Sequence, residues 1–262
     1  MTINAEQAQA HADALYEARQ TKQAIAAFTD EAPELGMLDG YEIQERLVEK
    51  LIANGEVITG YKLGLTSKAM QELLKIDQPD FGPIFESGIF SDGSTIPRDQ
   101  FIAPRIEGEI GLILGKDLSG PNCTVDDVRD ATVGLSAALE IVDSRIVDWK
   151  IKIADTVADL ASGGAIALSS KVVPIDDFDP RHIGMVFSKN GEVLATGAGA
   201  AAMGDPLATV AWLANTLAPM GVVLKAGQII MTGALHAMVP AGSGDTFTAE
   251  FDRLGSITVK VK

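Results

Sequence analysis

Apolar residues recur at helical spacing over the first part of the chain. Between residues 4 and 28, and again between 39 and 53, they return every three or four positions, which places them on one face of a helix. Asn54-Gly55 follows the second run and is a typical helix stop. The two apolar faces consist of Ala8, Leu15, Ala18, Ile25 and Phe28, then Ile43, Leu47, Val48 and Leu51. The pattern predicts an N-terminal helical portion over residues 1–56.

From residue 57 onward the pattern changes to short apolar runs separated by Gly and Pro, which is typical of β-strands. Asn190-Gly191 lies between two such runs and predicts a tight hairpin. Helical spacing returns at 125–132, 148–161 and 205–219. The predicted strands are 57–65, 84–90, 104–115, 134–144, 164–169, 183–189, 192–197, 227–232, 246–251 and 255–261. We therefore predict an α+β fold whose core, over residues 57–262, is a mixed and strongly curved sheet.

Three carboxylates interrupt otherwise apolar strand segments. Glu107 and Glu109 are two residues apart, so a strand directs both side chains to the same face. Glu140 lies in a second apolar run, where a carboxylate is seldom without a partner. Neighbouring carboxylates repel each other unless a cation joins them, and an all-oxygen set suits a hard divalent ion such as Mg²⁺ or Mn²⁺. A solvated polar face is the alternative interpretation.

Lys62 is a candidate for proton transfer or anion binding, and Asp80 is a second charged residue with a distinctive setting. Lys62 shares a strand face with Gly64, whose missing side chain permits close approach of a ligand. A Lys at the edge of the sheet is the plainer alternative. Asp80 lies in the segment 77–82, where Pro and Gly predict a turn and therefore a structural role for the carboxylate.

A polar stripe is predicted on the helix that covers residues 148–161. Asp155, Asp159 and Ser162 are spaced i, i+4 and i+7, so a helix places them on one face. That face is either solvated or a wall of the metal pocket, in which Asp155 would hold a metal-bound water. Thr232 and Gly233 follow an apolar strand, and they either cradle a carboxylate or simply end the strand.

Composition narrows the possible classes of function. The chain has 262 residues, of which 47% are hydrophobic, and this is enough for a sizeable core. The net charge of −15 argues against nucleic acid and anionic membranes as partners. Cys123 is the single cysteine and cannot form an internal disulfide, and the histidines lack zinc-ligand or triad spacing. The sequence shows no signal peptide and no apolar run long enough to span a membrane, so we expect a cytoplasmic protein.

Taken together, these segments resemble the hydratase/decarboxylase branch of the fumarylacetoacetate hydrolase superfamily, which acts in aromatic meta-cleavage catabolism. The resemblance covers nearly the whole chain, and the order and spacing of the short segments make it specific. They are Gly60-Tyr61-Lys62-Leu63-Gly64-Leu65-Thr66-Ser67, Gln78-Pro79-Asp80-Phe81-Gly82, Pro104-Arg105-Ile106-Glu107-Gly108-Glu109, Leu139-Glu140-Ile141-Val142-Asp143-Ser144-Arg145-Ile146, Asp155-Thr156-Val157-Ala158-Asp159-Leu160-Ala161-Ser162 and Ile230-Met231-Thr232-Gly233-Ala234.

The resemblance implies a site and an architecture. The metal ligands would be Glu107, Glu109 and Glu140, which would bind Mg²⁺ or Mn²⁺, and Lys62 would assist in the pocket. The core would be a rolled mixed β-sheet of the fumarylacetoacetate hydrolase type. The protein would form ring-like homo-oligomers and could associate with a sibling enzyme of its pathway.

The resemblance also implies an activity. Hydratases of this branch carry an Asp at the place of Asp80 and decarboxylases tend not to, so addition of water to a small-molecule 2-hydroxydienoate is expected. Lys62 and Asp80 would then transfer protons and activate water. Leu160 stands where the family usually has Asn, which predicts either a different preferred substituent on the substrate or impaired activity. The groups expected to hold the substrate carboxylate are Ser162, Thr232 and the amide of Gly233.

Three alternatives to hydration remain. The first is decarboxylation of 4-oxalocrotonate with the same metal. The second is hydrolysis of a C–C bond in an acylpyruvate, which usually needs a His–Glu pair, and neither His182 nor His236 is a clear candidate. The third is a non-catalytic role as a scaffold of the pathway complex.

Overall fold

A computed structural model describes residues 3–68, 71–72, 76–176 and 178–262. The α-helices of this part are α1 (Ala5–Thr21), α2 (Phe28–Glu31), α3 (Met37–Ala53), α4 (Val125–Ala131), α5 (Ile153–Ala158) and α6 (Pro206–Leu217). The strands are β1 (Ile58–Gly64), β2 (Asp80–Phe85), β3 (Ile89–Ser91), β4 (Thr95–Ile96), β5 (Arg105–Leu114), β6 (Thr132–Val142), β7 (Gly163–Leu168), β8 (Gly184–Lys189), β9 (Glu192–Ala198), β10 (Ile229–Met231), β11 (Val239–Pro240), β12 (Thr246–Phe251) and β13 (Gly255–Val261). No helix among the described residues is long and apolar enough to cross a membrane.

The N-terminal helices α1 and α3 pack against each other. Asn4 caps α1 by accepting a hydrogen bond from the backbone N–H of Gln7 at 2.9 Å. The prediction that this helix reaches residue 28 is wrong, because Lys22 adopts a left-handed conformation (φ 59°) and ends it. The apolar cluster between α1 and α3 also contains Phe85 and Ile146, so the helices are packed onto the sheet.

Within the described part of the chain, the main sheet contains eight strands in the order β2-β1-β10-β5-β6-β7-β3, with β11 paired to β5. The pairs β1/β10 and β3/β7 are parallel and the others antiparallel, so the predicted mixed sheet is confirmed. β2 also packs against β7, five places away in the order, because the sheet rolls around. The roll brings β1, β5 and β6 around a common interior, where the candidate site lies.

A second sheet, in the order β4-β13-β12-β8-β9, covers the outer face of the roll. Strands β12 and β13 pack on β6, and the shared core includes Phe187, Phe247 and Ile110, which are fully buried. The hairpin between β8 and β9 is confirmed: Asn190 (φ 54°) and Gly191 (φ 82°) both adopt the left-handed conformation that a tight hairpin turn requires.

Two predicted elements differ from the structure near the site. The predicted strand 84–90 is the end of β2, a turn at 86–88 and β3, so Asp80 begins a strand instead of lying in a turn. β2 tolerates Pro83 because it forms a backbone ladder on one side only. The predicted helix 148–161 is reduced to α5, since residues 160–162 all adopt left-handed backbone conformations.

Candidate metal centre and active site

The structure brings the three glutamates together in the interior of the roll. Glu107 and Glu140 are direct cross-strand partners on β5 and β6. Glu109 lies two residues further along β5 and faces the same side. One carboxylate oxygen from each residue lies within 4.8 Å of the others. The alternation of β5 was enough to predict one half of this arrangement, and the register between β5 and β6 supplies the other.

The negative charge of the three glutamates is only partly compensated by hydrogen-bond donors of the protein. Among the described residues, no hydrogen-bond donor reaches the buried atoms Glu109 Oε1 and Glu140 Oε2. Burial and the neighbouring charge of Glu140 raise the pKa of Glu107 to about 8 and hold the pKa of Glu109 well above its usual range. Because hard divalent cations prefer clustered carboxylate oxygens, this donor set fits Mg²⁺ or Mn²⁺. The cluster is not the solvated face of the alternative interpretation.

Lys62 brings a buried positive charge to the glutamate cluster. Its Nζ donates a hydrogen bond to the Ala161 carbonyl at 2.8 Å and lies 3.4 Å from Glu140 Oε1. Burial alone would lower the pKa of Lys62, but Glu140 and then Asp80 outweigh it and raise the pKa, so the ammonium stays charged. β1 lies between β2 and β10, and the side chain is buried, so the alternative of a Lys at the sheet edge is wrong.

Asp80 lies beside Lys62 at the start of β2. In the antiparallel pair β1/β2, Asp80 is the cross-strand partner of Gly64. A side chain at position 64 would collide with Asp80 Oδ1 and would come within 3.2 Å of Lys62 Nζ, so Gly64 leaves room for both groups. Oδ1 is buried without a hydrogen-bond partner among the described residues. Burial raises the pKa of Asp80, although Lys62 and the Gly64 backbone N–H oppose the shift. A buried carboxyl with a raised pKa is able to exchange a proton, and Asp80 lies at the start of a strand instead of in a turn.

The turn over residues 160–162 shapes the same interior. Leu160, Ala161 and Ser162 have φ angles of 57°, 51° and 54°, and such conformations are costly for residues other than Gly. Buried Arg145 and Asp159 hold the turn: the Arg145 guanidinium donates to the Asp159 carboxylate, and its Nη2 donates to the Asp159 carbonyl at 2.8 Å. The turn thereby presents the Ala161 carbonyl to the Lys62 ammonium. No local sequence pattern marks Arg145 or Ala161 as part of the site, because their roles arise from tertiary contacts.

The predicted substrate contacts have other partners in the structure. The two oxygens of Asp155 accept hydrogen bonds from Thr29 N (3.1 Å), Thr29 Oγ1 (2.6 Å) and Lys152 N (2.9 Å). Asp155 therefore joins α2 to the start of α5, and the prediction that it lines the pocket is wrong. The Ser162 hydroxyl lies 3.0 Å from the Thr156 hydroxyl, and sharing one hydrogen bond leaves it capacity for another.

Thr232 and Gly233 follow β10 and bond to β5, and Gly233 orders one of the glutamates. The Thr232 hydroxyl donates to the Ile110 carbonyl at 3.0 Å, and the Gly233 N–H donates to Glu109 Oε2 at 2.9 Å. Of these two residues Gly233 contacts a carboxylate, that of Glu109 of the protein itself, whereas Thr232 bonds to the backbone of β5. Contact of Thr232 and Gly233 with a substrate carboxylate stays a prediction. Gly233 has a φ of 112°, and a side chain there would collide with Thr66, so Gly is required at this position.

Comparison with known proteins places this geometry in a family. The model of the fumarylacetoacetate (FAA) hydrolase C-terminal family matches residues 61–262. The chain belongs to the fumarylacetoacetate hydrolase family. The matched range includes all three glutamates together with Lys62 and Asp80.

Relatives within this family are similar over almost their full length. The chain is 42% identical to 2-hydroxyhexa-2,4-dienoate hydratase of Comamonas testosteroni, covering 94% of each chain. It is also 42% identical to 2-keto-4-pentenoate hydratase of Paraburkholderia xenovorans, covering 94% of this chain and 91% of that one. Among solved structures, 4-oxalocrotonate decarboxylase from Pseudomonas putida G7, complexed with magnesium and adipate, superposes with a TM-score of 0.95 at 34% identity, covering 100% of this chain and 99% of that chain.

Proposed function

We propose that this fumarylacetoacetate hydrolase family member is a metal-dependent hydratase of aromatic meta-cleavage catabolism. It would add water to 2-hydroxypenta-2,4-dienoate, or to a substituted analogue, and release a 4-hydroxy-2-oxo acid. The observation that carries the proposal is buried Asp80, which faces Lys62 beside the glutamate cluster. The high identity to two hydratases over nearly whole chains supports the same reaction.

Glu107, Glu109 and Glu140 would hold Mg²⁺ or Mn²⁺. When bound, the ion supplies a Lewis acid and a template for the substrate's carboxylate and its adjacent oxygen. The buried oxygens without donors, described above, are the structural support for this assignment, and the magnesium in the decarboxylase structure agrees with it. Gly233 keeps Glu109 in place through its N–H, and Ser162 is the remaining candidate for a contact with the substrate carboxylate.

Lys62 and Asp80 would manage charge and protons during hydration. The enol proton leaves the C2 oxygen and a proton is added at C5, which gives a conjugated 2-oxo acid. Water oxygen then bonds to C4, and its proton is transferred so that C3 gains one. Lys62, held as an ammonium ion, stabilises negative charge that develops on the substrate. Asp80 accepts and returns protons, because its raised pKa brings it nearer to neutral pH.

Replacing Asp80 with Asn should separate proton transfer from metal binding. We expect turnover to fall by about 100-fold to 10,000-fold, the usual contribution of a general acid or base, because Asn cannot exchange a proton. Steady-state kinetics with Mg²⁺ measures turnover, and titration with Mn²⁺ measures binding, which should change little. Asp126→Asn, an exchange at an exposed position, is the control. An Asp80→Asn variant that keeps parental turnover would contradict the assignment.

One assay distinguishes hydration from the alternatives. The purified protein with Mg²⁺ is given 2-hydroxypenta-2,4-dienoate and, separately, 4-oxalocrotonate, and loss of dienoate absorbance and release of CO₂ are followed. We expect hydration of the dienoate. CO₂ release without hydration would replace the proposal by the decarboxylase, to which the fold is also closely similar. If the parent turns over substrate and the Glu107→Gln variant does not, the alternative of a non-catalytic scaffold is eliminated.

We further propose that the protein is a cytoplasmic homo-oligomer. β9 lies at the end of the second sheet, and its Val193 and Leu194 are 58% and 45% exposed, which suits burial against another copy. Light scattering coupled to size-exclusion chromatography would report the subunit number.

Cys123 is a buried free thiol, in keeping with a reducing compartment. Association with a sibling enzyme of the pathway stays a prediction.

A further inference from the structure

A histidine side chain completes the hydrogen bonding of β5 between the two glutamates. The backbone segment that follows β10 runs beside β5, and the Leu235 N–H donates to the Gly108 carbonyl at 3.1 Å. The Gly108 N–H donates instead to a side chain, Nε2 of His236, at 2.8 Å. His236 therefore stands in for a backbone carbonyl at the residue that separates Glu107 from Glu109.

The partners of His236 define its protonation state. Its Nδ1 lies 2.7 Å from the Ala237 carbonyl, which can only accept, so Nδ1 carries the proton and Nε2 is a bare acceptor. Burial lowers the pKa of His236, which favours this neutral form. The imidazole packs on Phe187, with ring centroids 4.1 Å apart. The ring is thus held from both nitrogens and from one face.

Gly108 lies against Met185 and His236 on the outer side of β5. A Cβ at this position would lie 2.5 Å from Met185 Sδ, which would have to move, and in van der Waals contact with His236 Nε2 at 3.4 Å. Side chains at Gly108 would point away from the glutamates, since neighbouring residues of a strand face opposite sides. His236 therefore lies behind the carboxylate cluster, outside the space that a substrate would occupy.

From this geometry we infer that His236 is a positioning residue of the metal centre. By accepting a hydrogen bond from the Gly108 N–H, Nε2 of His236 fixes the orientation of the Glu107–Gly108 peptide. The orientation of this peptide sets the direction in which the side chains of Glu107 and Glu109 leave the strand. Without this acceptor the Gly108 N–H would be buried and unpaired, and we expect the peptide to rotate toward another hydrogen-bond acceptor. The inference rests on the proposed metal centre, and it assigns His236 no contact with substrate.

The test compares two replacements of His236 in the full-length protein. In His236→Gln the side-chain oxygen takes the place of Nε2 and can still accept, whereas His236→Phe keeps a flat ring on Phe187 and loses the acceptor. Mn²⁺ affinity is measured from the free-ion signal in electron paramagnetic resonance, with Mg²⁺ as competitor. We expect the Phe variant to bind Mn²⁺ about 10-fold to 100-fold more weakly, as for other residues that orient metal ligands. The Gln variant should stay within about threefold of the parent, well short of that loss.

Two controls separate positioning from general destabilisation. Phe187→Leu removes the stacked ring and lowers stability but keeps the acceptor, so Mn²⁺ affinity should be retained. If His236→Phe fails to fold, His236→Asn replaces it, because the shorter amide does not reach Gly108. We expect Asn to weaken Mn²⁺ binding and Gln to preserve it.

The outcomes distinguish this inference from the proposed function. A parent that binds Mn²⁺ together with a Phe or Asn variant of equal affinity would overturn the role of His236 alone. So would a Gln variant as weak as the Phe variant, since the acceptor would then be irrelevant. A parent that binds neither Mn²⁺ nor Mg²⁺ would overturn the metal centre, and the role of His236 with it.

Discussion

Replacing Glu109 with Gln is expected to eliminate divalent metal binding and to lower hydratase turnover by about 100-fold to 1000-fold, the scale seen when one electrostatic contact of the transition state is lost. The exchange preserves shape, and the new amide oxygen can still accept from the Gly233 N–H. The removed charge is one that the interior tolerates poorly, because burial and Glu140 raise the pKa of Glu109. The metal-free variant should therefore be at least as stable as the metal-free parent.

Thermal unfolding with and without Mg²⁺ measures metal binding and the stability of the metal-free protein, and steady-state kinetics measures turnover. A ligand that binds only the folded protein stabilises it, by about 2.7 kcal/mol at 100 times its Kd, so the parent melts at a higher temperature with Mg²⁺. Glu109→Gln should show no such increase. Glu250→Gln, on the exposed side of β12, is the matched control and should keep both the increase and the turnover. A Glu109→Gln variant that Mg²⁺ still stabilises would contradict the role of Glu109 as a ligand.

The glutamate cluster was largely predictable, because its geometry follows from strand alternation. Glu107 and Glu109 share a face in any regular strand, and the apolar run around Glu140 indicated a buried strand. The sequence could not provide the register that makes Glu107 and Glu140 direct partners. The resemblance to the family supplied that step in advance of the structure, which is why three residues far apart in sequence could be assigned to one site.

Asp80 and Asp155 show where local patterns mislead. Pro and Gly around Asp80 predict a turn, yet the segment forms a strand of the roll, whose free edge accommodates Pro83. Helical spacing put Asp155 and Ser162 on one face, but the helix stops at Ala158. Tertiary contacts override the local preference there, since buried Arg145 holds the turn that follows. Sequence spacing reports which residues share a face only while the element continues.

Replacing Lys62 with Met should destabilise the metal-free protein strongly and eliminate turnover. Lys62 is a buried cation that faces Glu140, Asp80 and Glu107, and its removal takes away its compensation of their negative charges. Loss of one partner from a buried ion pair typically costs about 3–5 kcal/mol, and we expect that range at pH 9. Chemical denaturation of the metal-free parent and variant at several pH values measures the difference. Lys260→Met, on an exposed position of β13, is the matched control and should have little effect.

The pH dependence of this loss follows from the direction of the pKa shifts. The pKa of Lys62 is raised in the folded protein, so its stabilising effect is fully present below the ordinary Lys pKa of about 10.4 and is lost only at higher pH. Without it, the pKa values of Glu107 and its neighbours rise further, and a carboxyl whose pKa is raised by folding favours the folded state at low pH and opposes it as pH rises. The loss in free energy of unfolding caused by Lys62→Met should therefore shrink as pH falls from 9 to 6, because protons neutralise the glutamate cluster.

Mg²⁺ should also restore part of the lost stability, because an added cation compensates the same carboxylates. Equal deficits at pH 6 and pH 9, with no gain from Mg²⁺, would mean that Lys62 and a metal ion do not compensate one shared cluster.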